Sequence, residues 1–146
     1  MFSEFASEFF EFAKGNYSVG TIEVYHGTFR SFHGRFGDIA LTEITPQHWD
    51  VYEAHRLRNV GAQTLNIELR SMKAALNTAA RWRILDENPF AGLGLAQVPD
   101  TAPVFFTLEK VEKLLSVITE TWLREIVLFA VVTGMRKGRD RESAME

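Results

Sequence analysis

The chain has 146 residues, a net charge of -3, 46% hydrophobic and 24% charged residues, and no cysteine. This composition and length suit one globular domain and exclude a disordered chain, a collagen-like repeat and a disulfide scaffold. Without cysteine there is no zinc thiolate site or cysteine nucleophile, and the cytoplasm is the default location.

The N-terminus carries acids where a secretory signal needs bases, so no signal peptide is expected. Instead, Phe2, Phe5, Phe9 and Phe12 recur at spacings of three and four, the one-sided period of an amphipathic helix. Gly15 and Asn16 end this first helix. Ser18 to Phe32 repeats the pattern with Val19, Ile22, Tyr25, Phe29 and Phe32, and Gly34 and Gly37 mark the exit. Thr45-Pro46 starts a third helix running to about Leu57, with a hydroxyl able to cap free N–H groups and a proline whose fixed φ suits the first turn.

After Asn59-Val-Gly61, the residues Leu65, Leu69, Met72, Leu76 and Ala79 form the longest apolar stripe, predicting a fourth helix that ends near Leu85. From Asp86 to Val104 the period is broken by Asn88-Pro89, Gly92, Gly94, Pro99 and Pro103, the texture of an extended linker. Thr107 then caps a fifth helix, and Trp122 to Met135 forms a sixth. Its run Ile126–Val132 is apolar on every face, so it is expected at the centre of a core. Only about 40 residues follow the linker, too few to surround it, and a further part of its domain or another chain is expected to cover it. The same run is seven residues, far below the roughly 20 that cross a bilayer, and no membrane segment is expected. No stretch reads as a strand, so the expected fold is all-α.

Charge is unevenly spread. Residues 1 to 53 carry eight acids and three bases, residues 54 to 83 carry six bases and one acid, and residues 84 to 146 carry ten acids and seven bases. A local basic segment in an acidic chain points to a polyanionic partner better than the overall charge does. At about 100° per residue, Asn66, Arg70, Lys73, Asn77 and Arg81 fall on one ridge beside the apolar stripe of the fourth helix. Such a ladder can track phosphates through Arg and Lys and read base edges through Asn or Arg. Thr64 precedes it, and Arg56 and Arg58 would widen the basic patch. Glu68, the single acid of this segment, lies off the ridge.

The remaining constellations are bland. His26 with His33, and His48 with His55, stand seven residues apart, about 10.5 Å along a helix and too far for shared chelation. No metal site, cofactor or small-molecule substrate is expected. Trp49, Trp82 and Trp122 lie on helix patterns and are expected in the core.

The segment Thr64 to Pro89 resembles the last long helix of the core-binding domain of the tyrosine recombinases, or phage integrases. Tyr17-Ser-Val-Gly-Thr21 with Tyr25, Phe32, Phe36-Gly37 and Leu41 to Thr45 is similar to the opening of that domain. Phe105-Phe-Thr-Leu-Glu109 with Leu114-Leu115 resembles the start of the family's catalytic domain, and Thr133-Gly-Met-Arg136 its first arginine motif. The resemblance implies a SAM-like four-helix DNA-binding bundle at 1–90, a linker at 91–104 and the first two helices of a catalytic domain at 105–138. Residues 139–146 depart from the family pattern.

By the same resemblance the partner is double-stranded DNA, with recombinase protomers as further partners, and Thr64, Asn66, Arg70, Lys73, Asn77 and Arg81 are the candidate DNA contacts. Arg136 would hold the scissile phosphate. The family's tyrosine nucleophile lies near its C-terminus, whereas Tyr17, Tyr25 and Tyr52 all precede the linker. The chain therefore reads as a truncated recombinase with no cleavage activity of its own. Readings from other classes are a protein-binding module using the Phe-rich first helix and the apolar sixth, a nonfunctional remnant, and a helix-turn-helix regulator, whose short turn is not evident.

Overall fold

A computed structural model describes residues 1–100, 102 and 105–134. The described residues are all-helical: α1 (Phe2–Lys14), α2 (Val19–Phe36), a short 3-10 turn (Leu41–Glu43), α3 (Pro46–Arg56), α4 (Ala62–Arg81), α5 (Leu108–Val117) and α6 (Thr121–Thr133). No strand occurs among them, as the periodicity predicts, and no helix is long and apolar enough to cross a membrane. The chain divides into two compact units, Met1–Pro99 and Asp100–Glu146.

Local chemistry sets the helix ends. Ser18 accepts the Thr21 N–H at the start of α2, and His48 Nδ1 accepts the Thr45 N–H at 3.2 Å at the start of α3. The second helix passes the expected end at Phe32, with Gly34 inside it, and stops at Gly37, whose φ of 71° is open to glycine. The fourth ends at Arg81, earlier than expected. Its exit is a Schellman turn, in which the Arg83 N–H reaches Ala80 O and the Ile84 N–H reaches Ala79 O. Arg83 takes the left-handed position at φ 61°.

The core of the first unit is aromatic and built around α4, which packs on α1 and α2. Phe2, Phe5 and Phe9 of α1 meet Tyr25, Phe29 and Phe32 of α2, and Leu65, Leu69, Met72 and Leu76 supply the α4 stripe. Phe9 sits edge-on to Tyr25 at 4.9 Å and Phe32 lies 5.6 Å from Tyr52. Each such buried side chain contributes about 1.5–3 kcal/mol.

The last stretch of this unit is also packed. Phe90 is fully buried beside Trp49, and Leu93 and Ala96 pack against the core. The stretch from 91, which sequence texture marks as linker, thus begins as a strap held on the bundle.

In the second unit, α5 packs on α6 and neither helix buries a residue. The expectation that the sixth helix is central to a core is not met here: Trp122 is 64% exposed and Val132 77%. Two short helices present too little surface to enclose an all-round apolar one. Trp122 is likewise not the core residue its helical position suggested.

Candidate nucleic-acid interface

Half of α4 is buried, and its burial wraps around more of the helix than the apolar stripe alone. Leu65, Leu69, Met72, Ala75, Leu76 and Ala79 are joined inside by Asn66, Glu68, Ser71 and Thr78. What remains in solvent is a strip running through Gln63, Ile67, Arg70, Asn77 and Arg81, with half-buried Ala74 between them. These positions recur at spacings of three and four, so they form one face.

The ridge read from the wheel is therefore divided. Arg70 and Arg81 stand in solvent with no carboxylate partner among the described residues. The Arg81 guanidinium rests 5.2 Å from the centre of the Phe12 ring, a cation–π contact that fixes its base without neutralising it. Thr64 is exposed, but it lies about 120° around the helix from Arg70 and does not share that face.

Asn66 and Lys73 hold the strap instead, and Asn77 holds Asn88 in the turn before it. The Asn66 side chain makes two bonds to one backbone unit: its Nδ2 donates to Ala96 O at 2.9 Å and its Oδ1 accepts the Ala96 N–H at 2.8 Å. Lys73 Nζ donates to Leu93 O at 2.6 Å and Ala91 O at 3.0 Å. Asn88 Nδ2 donates to Asn77 Oδ1 at 2.7 Å and to Lys73 O at 3.0 Å. Asn77 nonetheless remains exposed. No position on a helical wheel signals these bonds, because their partners lie 11 to 30 residues further along the chain.

Glu68 faces the interior and binds α3. It accepts the Tyr52 hydroxyl at 2.8 Å and the Arg56 guanidinium at 2.6 Å and 3.0 Å. Arg56 thus does not widen the basic patch as expected, since its charge is matched by a buried carboxylate, which holds the guanidinium firmly protonated. Arg58 is exposed.

Further positive groups come from α2, where Arg30 and Arg35 are exposed, and His26 and His33 are exposed on the same helix. The charge tally by segment hides them, because Arg30 and Arg35 fall within the acidic first third of the sequence. His26 stacks on Phe10 with ring centres 3.7 Å apart. No group of three or more His, Asp or Glu able to hold a metal occurs among the described residues.

The chain's three tyrosines all lie in the first unit. Tyr25 and Tyr52 are buried, and burial foremost pushes each hydroxyl up to about 12, with Tyr17 and Glu68 respectively adding to the shift. Tyr17 is half-buried against Phe12 and Tyr25.

A family model of the phage integrase SAM-like domain matches residues 1–97. The chain belongs to the phage integrase SAM-like domain family. The matched span ends one residue beyond Ala96, so the SAM-like domain includes the strap as well as the four helices. It does not include α5 or α6, and Arg136 lies outside the described residues. No curated protein and no solved structure matches the chain.

Proposed function

We propose that the chain binds double-stranded DNA through the solvent face of α4, as the N-terminal part of a site-specific tyrosine recombinase or integrase. The observation that carries this reading is the pair Arg70 and Arg81, solvent-facing on one helical strip and free of carboxylate partners among the described residues. Eleven residues separate them, about 16 Å along the axis. That span is enough to meet phosphates on both sides of a major groove about 12 Å wide. Gln63 and Asn77 on the same strip supply amides able to address base edges.

In this reading Lys73 adds charge to the same field, while Asn66 acts through the strap and Thr64 lies at the edge of the contact. Arg136 belongs to the proposed remnant of a catalytic domain, where a guanidinium would give paired donors to a phosphate. Cleavage through a phosphotyrosine is not expected of this chain, because Tyr25 and Tyr52 are buried in the bundle. Incubation with duplex DNA should leave no covalent adduct after denaturation. An adduct on any of the three tyrosines would contradict this.

The test of DNA binding is fluorescence anisotropy of the whole chain with a labelled mixed-sequence duplex over a range of salt. Binding that weakens steeply as salt rises is expected, as for any contact made by neutralising phosphates. Absence of binding at low salt would overturn the reading.

A second reading, a protein-binding module, draws on the exposed Trp122, Phe129 and Val132 of α6. The Phe-rich α1 does not contribute to it as expected, since Phe2, Phe5 and Phe9 are inside the bundle.

A further inference from the structure

The strap and the proposed DNA face share a side chain. Lys73 lies one turn from both Arg70 and Asn77, so its ammonium can turn either along the strap or toward whatever anion those residues meet. Its present partners are two neutral carbonyls, Ala91 O and Leu93 O. A phosphate carries a full negative charge, so it adds to the hydrogen bond a charge–charge attraction that a neutral carbonyl does not supply. Ala91 is exposed and Leu93 half-buried, so water can replace the lysine at the released carbonyls.

From this geometry we infer that Lys73 couples DNA binding to release of the strap. A DNA phosphate at the α4 face withdraws Lys73 from Ala91 and Leu93. The strap then hangs on the Asn66–Ala96 clasp alone, with Asn88 and buried Phe90 anchoring the chain just before it, so the clasp opens more often. The coupling is reciprocal, so a strap already loosened must favour DNA. The inference rests on the DNA-binding reading and adds a regulated element to it: residues 91–96, the chain's path out of the SAM-like domain, are held in the free protein and loosened in the complex.

Asn66 separates this inference from direct contact. As a DNA contact, Asn66→Ala would weaken binding. As the clasp of a competing strap, Asn66→Ala should tighten binding about fivefold, within the usual range of coupling between two sites.

The experiment is amide hydrogen exchange on the whole chain, free and saturated with a duplex of about 20 base pairs, with anisotropy read on the same samples. The Ala96 amide, protected by Asn66 in the free chain, should exchange about tenfold faster with DNA bound, the mark of local opening. Unchanged or slower exchange with anisotropy showing full binding would overturn the inference and leave the DNA reading intact. No anisotropy change in the wild-type chain would overturn both. Lys73→Met covers the case in which Asn66→Ala does not fold: its Ala96 exchange should not respond to DNA, and a wild-type response would count against the inference.

Discussion

Arg56 on α3 and Glu68 on α4 form a two-pronged ion pair, with Nη2 2.6 Å and Nε 3.0 Å from Glu68 Oε1. Glu68 is almost wholly buried, and its other oxygen takes the Tyr52 hydroxyl. No buried side-chain polar atom of the cluster is left without a partner, and α3 is fastened to the central helix. Removing the carboxylate strands two donors at once. Glu68→Ala should cost about 2–4 kcal/mol in urea unfolding, more than Glu68→Gln, which keeps an oxygen for Tyr52. Equal stability of Glu68→Ala and wild type would show that the pair is not needed to hold α3.

Arg83 occupies the left-handed turn position where glycine is preferred. Placing a side chain there costs roughly 1–2 kcal/mol. Glycine relieves that strain but gives the unfolded chain more freedom, so Arg83→Gly should gain only about 0.5–1 kcal/mol. Arg83→Val should lose stability, because a branched side chain tolerates positive φ least. Thermal melts of the two variants should move in opposite directions.

Asp38 caps α1 from the far end of α2. It accepts the Ser3 N–H at 2.8 Å and the Ser3 hydroxyl at 2.7 Å. These bonds, the backbone one foremost, hold its carboxyl below the ordinary carboxylate range. A depressed folded value means that the contribution is complete above the unfolded value near pH 4 and fades as pH falls through the folded one. Asp38→Asn should therefore be less stable than wild type at pH 6, and the gap should narrow as the pH drops below about 4. A gap constant with pH would mean that the charge on Asp38 contributes nothing.

The exposed apolar side chains of α6 make a patch of the kind that drives association. The whole chain should self-associate in sedimentation at rising concentration, and residues 1–100 alone should remain monomeric and folded, since the first unit contains its own core. Association of both to the same extent would place the contact in the SAM-like domain instead.

Much of this fold is legible in the sequence because the packing is periodic. Phe2, Phe5 and Phe9, and the α4 stripe from Leu65 to Ala79, lie where one-sided spacing puts them, and Pro46 marks the start of α3. The helical wheel fails where side chains bind distant backbone. Asn66 and Lys73 sit among the polar positions of α4, but they are committed to Ala96, Ala91 and Leu93, and only the folded chain brings those carbonyls within reach. The same holds for Arg56, whose partner Glu68 lies 12 residues on. Gly34 misleads in the other direction, since a lone glycine inside a packed helix costs only about 1 kcal/mol and the Phe32–Phe36 packing across it overrides that cost.

Whether DNA meets the strip carrying Arg70 and Arg81 is decided by the salt dependence of binding for Arg70→Ala with Arg81→Ala, against Arg30→Ala with Arg35→Ala as a charge-matched control on α2. Each phosphate contact contributes about 0.9 to the slope of log affinity against log salt. The α4 double variant should lose close to two such contacts, flattening the slope by about 1.8 and weakening binding at low salt. The α2 variant should keep a steeper slope. A slope unchanged by Arg70→Ala with Arg81→Ala, in a chain that still folds, would contradict the account.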